Sequence, residues 1–176
     1  MPGDPGKREM VERMIRVDHA GEYGAVRIYE GQMAVLKGTA SEPVIRHMAQ
    51  QEEAHLAQFN DLVADRRVRP TALLPLWHLA GFALGAGTAL LGEKAAHACT
   101  VAVEEAIDEH YAAQVAKLEG EDEDALRDTF EKFRQEEVEH HDTALEMGAE
   151  QAPGYTLLKG AIKAGSRVAI WLSERI

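Results

Sequence analysis

Residues 45–62 read Ile45-Arg-His-Met-Ala-Gln-Gln-Glu52-Glu-Ala-His55-Leu-Ala-Gln-Phe59-Asn-Asp-Leu62. Ile45, Met48, Glu52, His55, Phe59 and Leu62 succeed one another at steps of three and four, the period of one face of an α-helix. That face is apolar except at its centre, where a carboxylate and an imidazole stand one turn apart. A carboxylate on a core face is costly unless something neutralises it. The stretch therefore predicts a helix, and a buried partner for Glu52 and His55. A second stretch repeats the pattern: Phe130, Phe133, Glu137, His140, Ala144 and Met147 follow the same steps. With 21 Glu and eight His among 176 residues, roughly one Glu-x-x-His arises by chance, so the spacing alone is a weak signal. Its placement inside two core stripes is a strong one.

Working outward, helix two starts after Ser41-Glu-Pro43, where proline suits a first turn, and runs to about Arg67. Helix one spans roughly Lys7 to Lys37, between the Pro2/Pro5/Gly6 breakers and Gly38, with Ile15, Val26, Tyr29, Met33 and Leu36 on its stripe. Helix three spans about Glu93 to Glu119, with Val101, Ile107, Tyr111, Val115 and Leu118. Helix four covers about Glu123 to Glu150, and a fifth helix follows Pro153-Gly154 to the C-terminus. No alternating strand pattern competes, so the chain reads as all-α. The core stripes of helices one and three are each interrupted by a single carboxylate, Glu22 and Glu104. Glu22 precedes Glu52 by 30 residues and Glu104 precedes Glu137 by 33. Each half is thus a helical hairpin with one Glu on one arm and Glu-x-x-His on the other, the pattern of a dinuclear carboxylate bundle. Two divalent cations would neutralise the four carboxylates. The candidate ligands are Glu22, Glu52, His55, Glu104, Glu137 and His140. An oxygen-rich set with two imidazoles and no thiolate suits iron or manganese rather than structural zinc. Spacing leaves oxygenase, ferroxidase and peroxidase chemistry open.

One residue along a helix rotates a side chain by about 100°. Glu53, Glu105, Glu136 and Glu139, adjacent to the six, therefore read as solvated charge. His141 lacks a Glu three residues before it. Asp18, His19 and His47 read as ordinary helix polar groups or as partners of the ligands. Tyr111 reads as core packing, or as a support for a substrate ring, and His97 and Cys99 show no partner pattern.

The remaining composition bounds the function. A length of 176 residues, 45% of them hydrophobic, fits a single domain, 1–176. The net charge of −11 argues against a nucleic-acid partner. The single cysteine, Cys99, cannot form an intrachain disulfide, and the charged first 20 residues show no secretory leader. Thr71 to Gly92 contains no Asp, Glu, Lys or Arg, which is long enough to span a bilayer. A single crossing would put the two halves of the metal site on opposite sides of a membrane. The segment therefore reads as an apolar crossover between helices two and three, broken by Pro75 and glycines into short helices. It would dip into one leaflet, with Arg66, Arg67 and Arg69 meeting lipid head groups, or else be a buried crossover in a homo-oligomer.

The runs Arg16-Val-Asp-His-Ala-Gly-Glu-Tyr-Gly-Ala25, Ala98-Cys-Thr-Val-Ala-Val-Glu-Glu105, Glu136-Glu-Val-Glu-His-His-Asp142 and Arg167-Val-Ala-Ile-Trp-Leu-Ser-Glu-Arg175 resemble the demethoxyubiquinone hydroxylases of ubiquinone synthesis. The resemblance extends from about Glu9 to Ile176 and implies a ferritin-like four-helix bundle with two iron ions. Glu22, Glu52 and His55 would hold one and Glu104, Glu137 and His140 the other, with Glu52 and Glu137 bridging. It implies a monooxygenase that uses dioxygen and electrons ultimately from reduced nicotinamide. Its substrate would be a polyprenylated quinol, hydroxylated on the ring before the last methylation, the prenyl tail lying along Leu73–Leu91. It also implies a peripheral membrane protein, on the cytoplasmic face of a bacterial inner membrane, with other ubiquinone-biosynthesis proteins as possible partners. A ferritin-like ferroxidase that handles iron is the alternative with the same six ligands.

Overall fold

A computed structural model of the chain describes residues 6–176. The Pro2 and Pro5 breakers lie outside them. Six α-helices follow in order: α1 Lys7–Val35, α2 Glu42–Asp65, α3 Leu74–Leu90, α4 Glu93–Leu118, α5 Asp124–Glu146 and α6 Tyr155–Ser173. One 3₁₀ turn, Ala149–Gln151, precedes α6, and there is no strand among the described residues. Helices α1 and α2 form one hairpin, and α4 and α5 form the other. Backbones lie closer within each hairpin than between the two. The wide seam between them is filled by side chains.

At one end of the seam Ile15, Phe59, Tyr111, Phe130 and Phe133 pack together; at the other, Tyr29, Ile45 and Met48 pack with Ala89 and Ala96. The carboxylates and imidazoles lie between these two apolar plugs. The stripe residues predicted for α2 and α5 are buried except Leu62 and Met147, which are half-buried, and Ile15, Tyr29, Val101 and Tyr111 are buried too. Helices α1 and α4 start where expected, at Lys7 and Glu93, while the C-terminal ends of the helices fall one to four residues short of expectation. The largest shift is at α5, which stops at Glu146 because Gly148 turns left-handed, at φ 87°.

The crossover is one continuous helix, α3, and not the short helices expected from its glycines. Pro75 sits in its first turn, where a missing N–H costs nothing. Gly81 and Gly85, one turn apart, form the face by which α3 lies directly on α1. A Cβ built on Gly85 would overlap the Ile28 carbonyl oxygen, and one on Gly31 would overlap that of Phe82. The glycines permit close helix contact instead of breaking the helix. No helix among the described residues is long and apolar enough to cross a membrane. Helix α6 packs along α4 and reaches α1, and its Ser173 accepts a hydrogen bond from Trp77 of α3.

Candidate metal centre

The six residues singled out by helical phase meet at the middle of the seam, each no more than 3% exposed. Their potential ligand atoms form two overlapping groups, each mutually within 4.8 Å: Glu22, Glu52, His55 and Glu137, and Glu52, Glu104, Glu137 and His140. Glu52 and Glu137 belong to both. His55 Nδ1 lies 3.2 Å from Glu137 Oε1 and 3.4 Å from Glu22 Oε2. His140 Nδ1 lies 3.0 Å from Glu52 Oε1 and 3.3 Å from Glu137 Oε2.

These approaches are short but not aligned as hydrogen bonds. Both oxygens of Glu52, both of Glu137, Glu104 Oε2 and the Nδ1 atoms of His55 and His140 have no hydrogen-bond partner among the described residues. Each buried polar atom left in that state costs about 1–3 kcal/mol, and seven of them converge here. The other nitrogen of each ring is engaged. His55 Nε2–H donates to Glu136 Oε2 at 2.7 Å, and His140 Nε2–H donates to Gln51 Oε1 at 3.1 Å. That turns each Nδ1 towards the cluster, the usual arrangement behind a metal-binding imidazole.

Electrostatics favour the same reading. Burial, then repulsion from Glu137 and Glu22, raises Glu52 well above the usual carboxylate range. Burial, then Glu137 and Glu52, does the same to Glu104. Burial works against a charged His55, but Glu137 and Glu22 outweigh it and push the ring up to about 12. Without cations the cluster retains protons. Divalent ions would displace them and supply the missing partners, and four carboxylates with two imidazoles suit iron or manganese.

The surroundings depart from the sequence expectation in instructive ways. Glu136, read as solvated, is the acceptor for His55. Glu105, read the same way, accepts from Lys159 and Lys163 of α6 at 2.8 Å each. Burial opposes its charge, but the two ammoniums hold its carboxyl down at about 2. Glu53, Glu139 and His47 are exposed. Tyr111 donates to Glu22 Oε1 at 2.5 Å, and Tyr29 to Glu104 Oε1 at 2.9 Å. Burial and the nearby carboxylates raise both phenols well above their usual range, so both stay protonated donors. Asp18 accepts from Gln114 at 2.9 Å and lies 3.2 Å from His110, while His19 bonds Asn60. Among the described residues no hydrogen bond joins Asp18, His19 or His47 to the six. His97 bonds Ser41, and Cys99 is a buried free thiol.

Beside the site, α1, α3, α4 and α6 enclose an apolar cavity of about 460 Å³. Gly21, Gly24, Trp77, Gly81, Gly165 and Ala169 are among its walls. Ala25, Ile28 and Val103 line it on one side and, on the other, a small gap beside Tyr29 and Glu104. The contribution of α6 to this cavity was not legible in the sequence.

The chain matches the family described as "Ubiquinone biosynthesis protein COQ7" over residues 9–173. It is 61% identical over 177 residues to the 3-demethoxyubiquinol 3-hydroxylase of Rhodospirillum rubrum, covering 100% of this chain and 83% of that protein. It is 58% identical over 172 residues to the mitochondrial NADPH-dependent 3-demethoxyubiquinone 3-hydroxylase of Homo sapiens, covering 96% of this chain and 79% of that one. It is 44% identical over 182 residues to the mitochondrial 5-demethoxyubiquinone hydroxylase of Saccharomyces cerevisiae, covering 94% and 78%.

Proposed function

Since the chain belongs to the COQ7 family of ubiquinone-biosynthesis proteins, we propose that it is a monooxygenase that hydroxylates the ring of a polyprenylated demethoxy-benzoquinol. The observation that carries the reading is the gathering of seven buried carboxylate oxygens and ring nitrogens without hydrogen-bond partners into two overlapping groups between the hairpins. Glu22, Glu52, His55, Glu104, Glu137 and His140 would hold two iron ions there, with Glu52 and Glu137 shared. Bound iron would supply the redox chemistry that activates dioxygen, with electrons drawn from reduced nicotinamide.

The chain's own residues do the rest. Glu136 and Gln51 orient the two imidazoles, and Tyr29 and Tyr111 hold the outer carboxylates. The apolar plugs above and below the site exclude water, which protects reactive species from side reactions. The cavity beside Ile28 and Val103 is apolar and of the right order to hold part of a prenylated ring. Its α3 wall is Trp77, Ala80, Gly81 and Leu84, so the tail would run between α3 and α6 instead of along the whole of Leu73–Leu91.

Residues 71–92 act, in this reading, as the membrane-contacting part of a single 1–176 domain. Leu76, Leu79, Leu90 and Leu91 of the α3 region are exposed, as are Leu157, Val168 and Trp171 of α6. Leu76, Leu79, Val168 and Trp171 are next in sequence to the cavity-wall residues Trp77, Ala80, Ala169 and Ile170, so a substrate dissolved in a leaflet could enter without crossing water. A peripheral position on the cytoplasmic face of a bacterial inner membrane fits that geometry. The ferroxidase alternative is not favoured, because the named relatives are hydroxylases and the space beside the site is apolar instead of a polar path for ions.

The test is mass spectrometry of quinones from cells lacking this protein. Accumulation of a polyprenylated quinone lacking one ring methoxy group is the expected result. A normal quinone profile would contradict the proposal.

A further inference from the structure

The two core tyrosines are exchanged between the hairpins. Tyr29 follows Glu22 by seven residues on α1, yet its hydroxyl donates to Glu104 on α4. Tyr111 follows Glu104 by seven residues on α4, yet its hydroxyl donates to Glu22 on α1. Seven residues are close to two full turns, so each tyrosine stands on the same face as its own glutamate, about 10 Å further along the axis. Residue 22 pairs with 111 and residue 29 with 104, so α1 and α4 run antiparallel here. The equal steps then bring each phenol opposite the other helix's carboxylate. Both phenols are no more than 2% exposed.

We propose that Tyr29 and Tyr111 are positioning residues that limit each outer glutamate to one metal-binding oxygen. With Oε1 held by a phenol, Glu104 keeps only Oε2 for a cation, and that oxygen is the one left buried without a partner. Glu22 likewise keeps Oε2, which lies 3.4 Å from His55 Nδ1, inside the cluster. A carboxylate free of its phenol could chelate with both oxygens and fill a coordination position that a reacting molecule needs. The control is crossed: the tyrosine of one hairpin sets the glutamate of the other. This rests on the reading of the cluster as a metal centre.

The test uses the full chain, stripped of metal and then titrated with ferrous iron without oxygen, and with cobalt(II) as a spectroscopic probe. Tyr29→Phe and Tyr111→Phe keep the packing and remove only the hydroxyl. Each is expected to shift metal affinity by roughly 10-fold or more, and to show weaker cobalt ligand-field bands as coordination number rises. Double-mutant cycles on metal affinity locate the partner. The Tyr29→Phe effect should vanish in a Glu104→Ala background and persist in Glu22→Ala. The Tyr111→Phe effect should do the reverse. Unchanged affinity and spectra in both single variants would overturn the proposal, as would coupling within one helix. A lowered melting temperature with unchanged metal binding would also overturn it, since that is packing alone. Failure of the unmodified protein to bind metal would instead refute the metal-centre reading on which it stands.

Discussion

Glu136 accepts the Nε2–H of His55 at 2.7 Å, although it is next in sequence to Glu137 of the cluster and lies off the core face of α5. The bond crosses from one hairpin to the other and points the Nδ1 of His55 at the cluster. Removing the acceptor frees the ring to turn and lowers its basicity. Glu136→Ala is expected to lower metal affinity by roughly 10- to 100-fold, with Glu136→Gln retaining most of it, because an amide oxygen still accepts. Metal titration of the three proteins checks this. Equal affinities in all three would show that His55 is held by packing alone.

The contact of α3 with α1 depends on having no side chain at Gly85. Gly85→Ala puts a methyl group into the Ile28 carbonyl and is expected to lower stability by about 1–3 kcal/mol. Gly87→Ala, in the same helix with nothing within 4 Å of the added carbon, should raise it by about 0.5–1 kcal/mol. Thermal melts of both variants at one metal loading provide the comparison. Equal shifts would mean that α3 does not lie on α1 as described.

Glu105 ties α6 to α4 through Lys159 and Lys163, and its carboxyl is held at about 2 against an ordinary 4.5. A folded-state value below the unfolded one stabilises the fold above the ordinary value and is lost as pH falls towards the folded value. Wild type should therefore exceed Glu105→Gln in stability at pH 6, and the gap should close between about pH 5 and pH 2. Denaturant melts across that range measure it. A gap that widens on acidification would reverse the assignment.

On α3, Trp77 donates its indole N–H to Ser173 on α6 at 3.0 Å, and Phe82 is half-buried under Arg27. Leu76 and Leu79, on either side of Trp77, are exposed. Their joint replacement by Ser should weaken flotation with anionic vesicles while leaving metal content unchanged. Unaltered flotation would place the lipid contact elsewhere.

The six-residue cluster was legible because a charge on a core stripe violates the one rule that sequence periodicity reports directly. Tyr29 and Tyr111 were legible as core for the same reason. Their hydroxyl partners were not, because phase along one helix does not say which residue of another helix it faces. Glu136 was misread because a side chain one position off a stripe can still reach a neighbouring helix at the rim. Helix α3 was misread because glycine in a list of residues looks the same whether it breaks a helix or lets two helices touch. The α6 wall of the cavity is purely tertiary and left no mark on the local pattern beyond an apolar face.

In the proposed reading Glu22, Glu52, His55, Glu104, Glu137 and His140 share two iron ions that carry the hydroxylation. Iron per chain and quinol hydroxylation, measured together on the unmodified protein and on Glu137→Ala, test it most directly. The expected result is two irons per chain and ring hydroxylation in the first, with both iron and product largely lost in the second. Normal iron content and normal turnover in Glu137→Ala would contradict it.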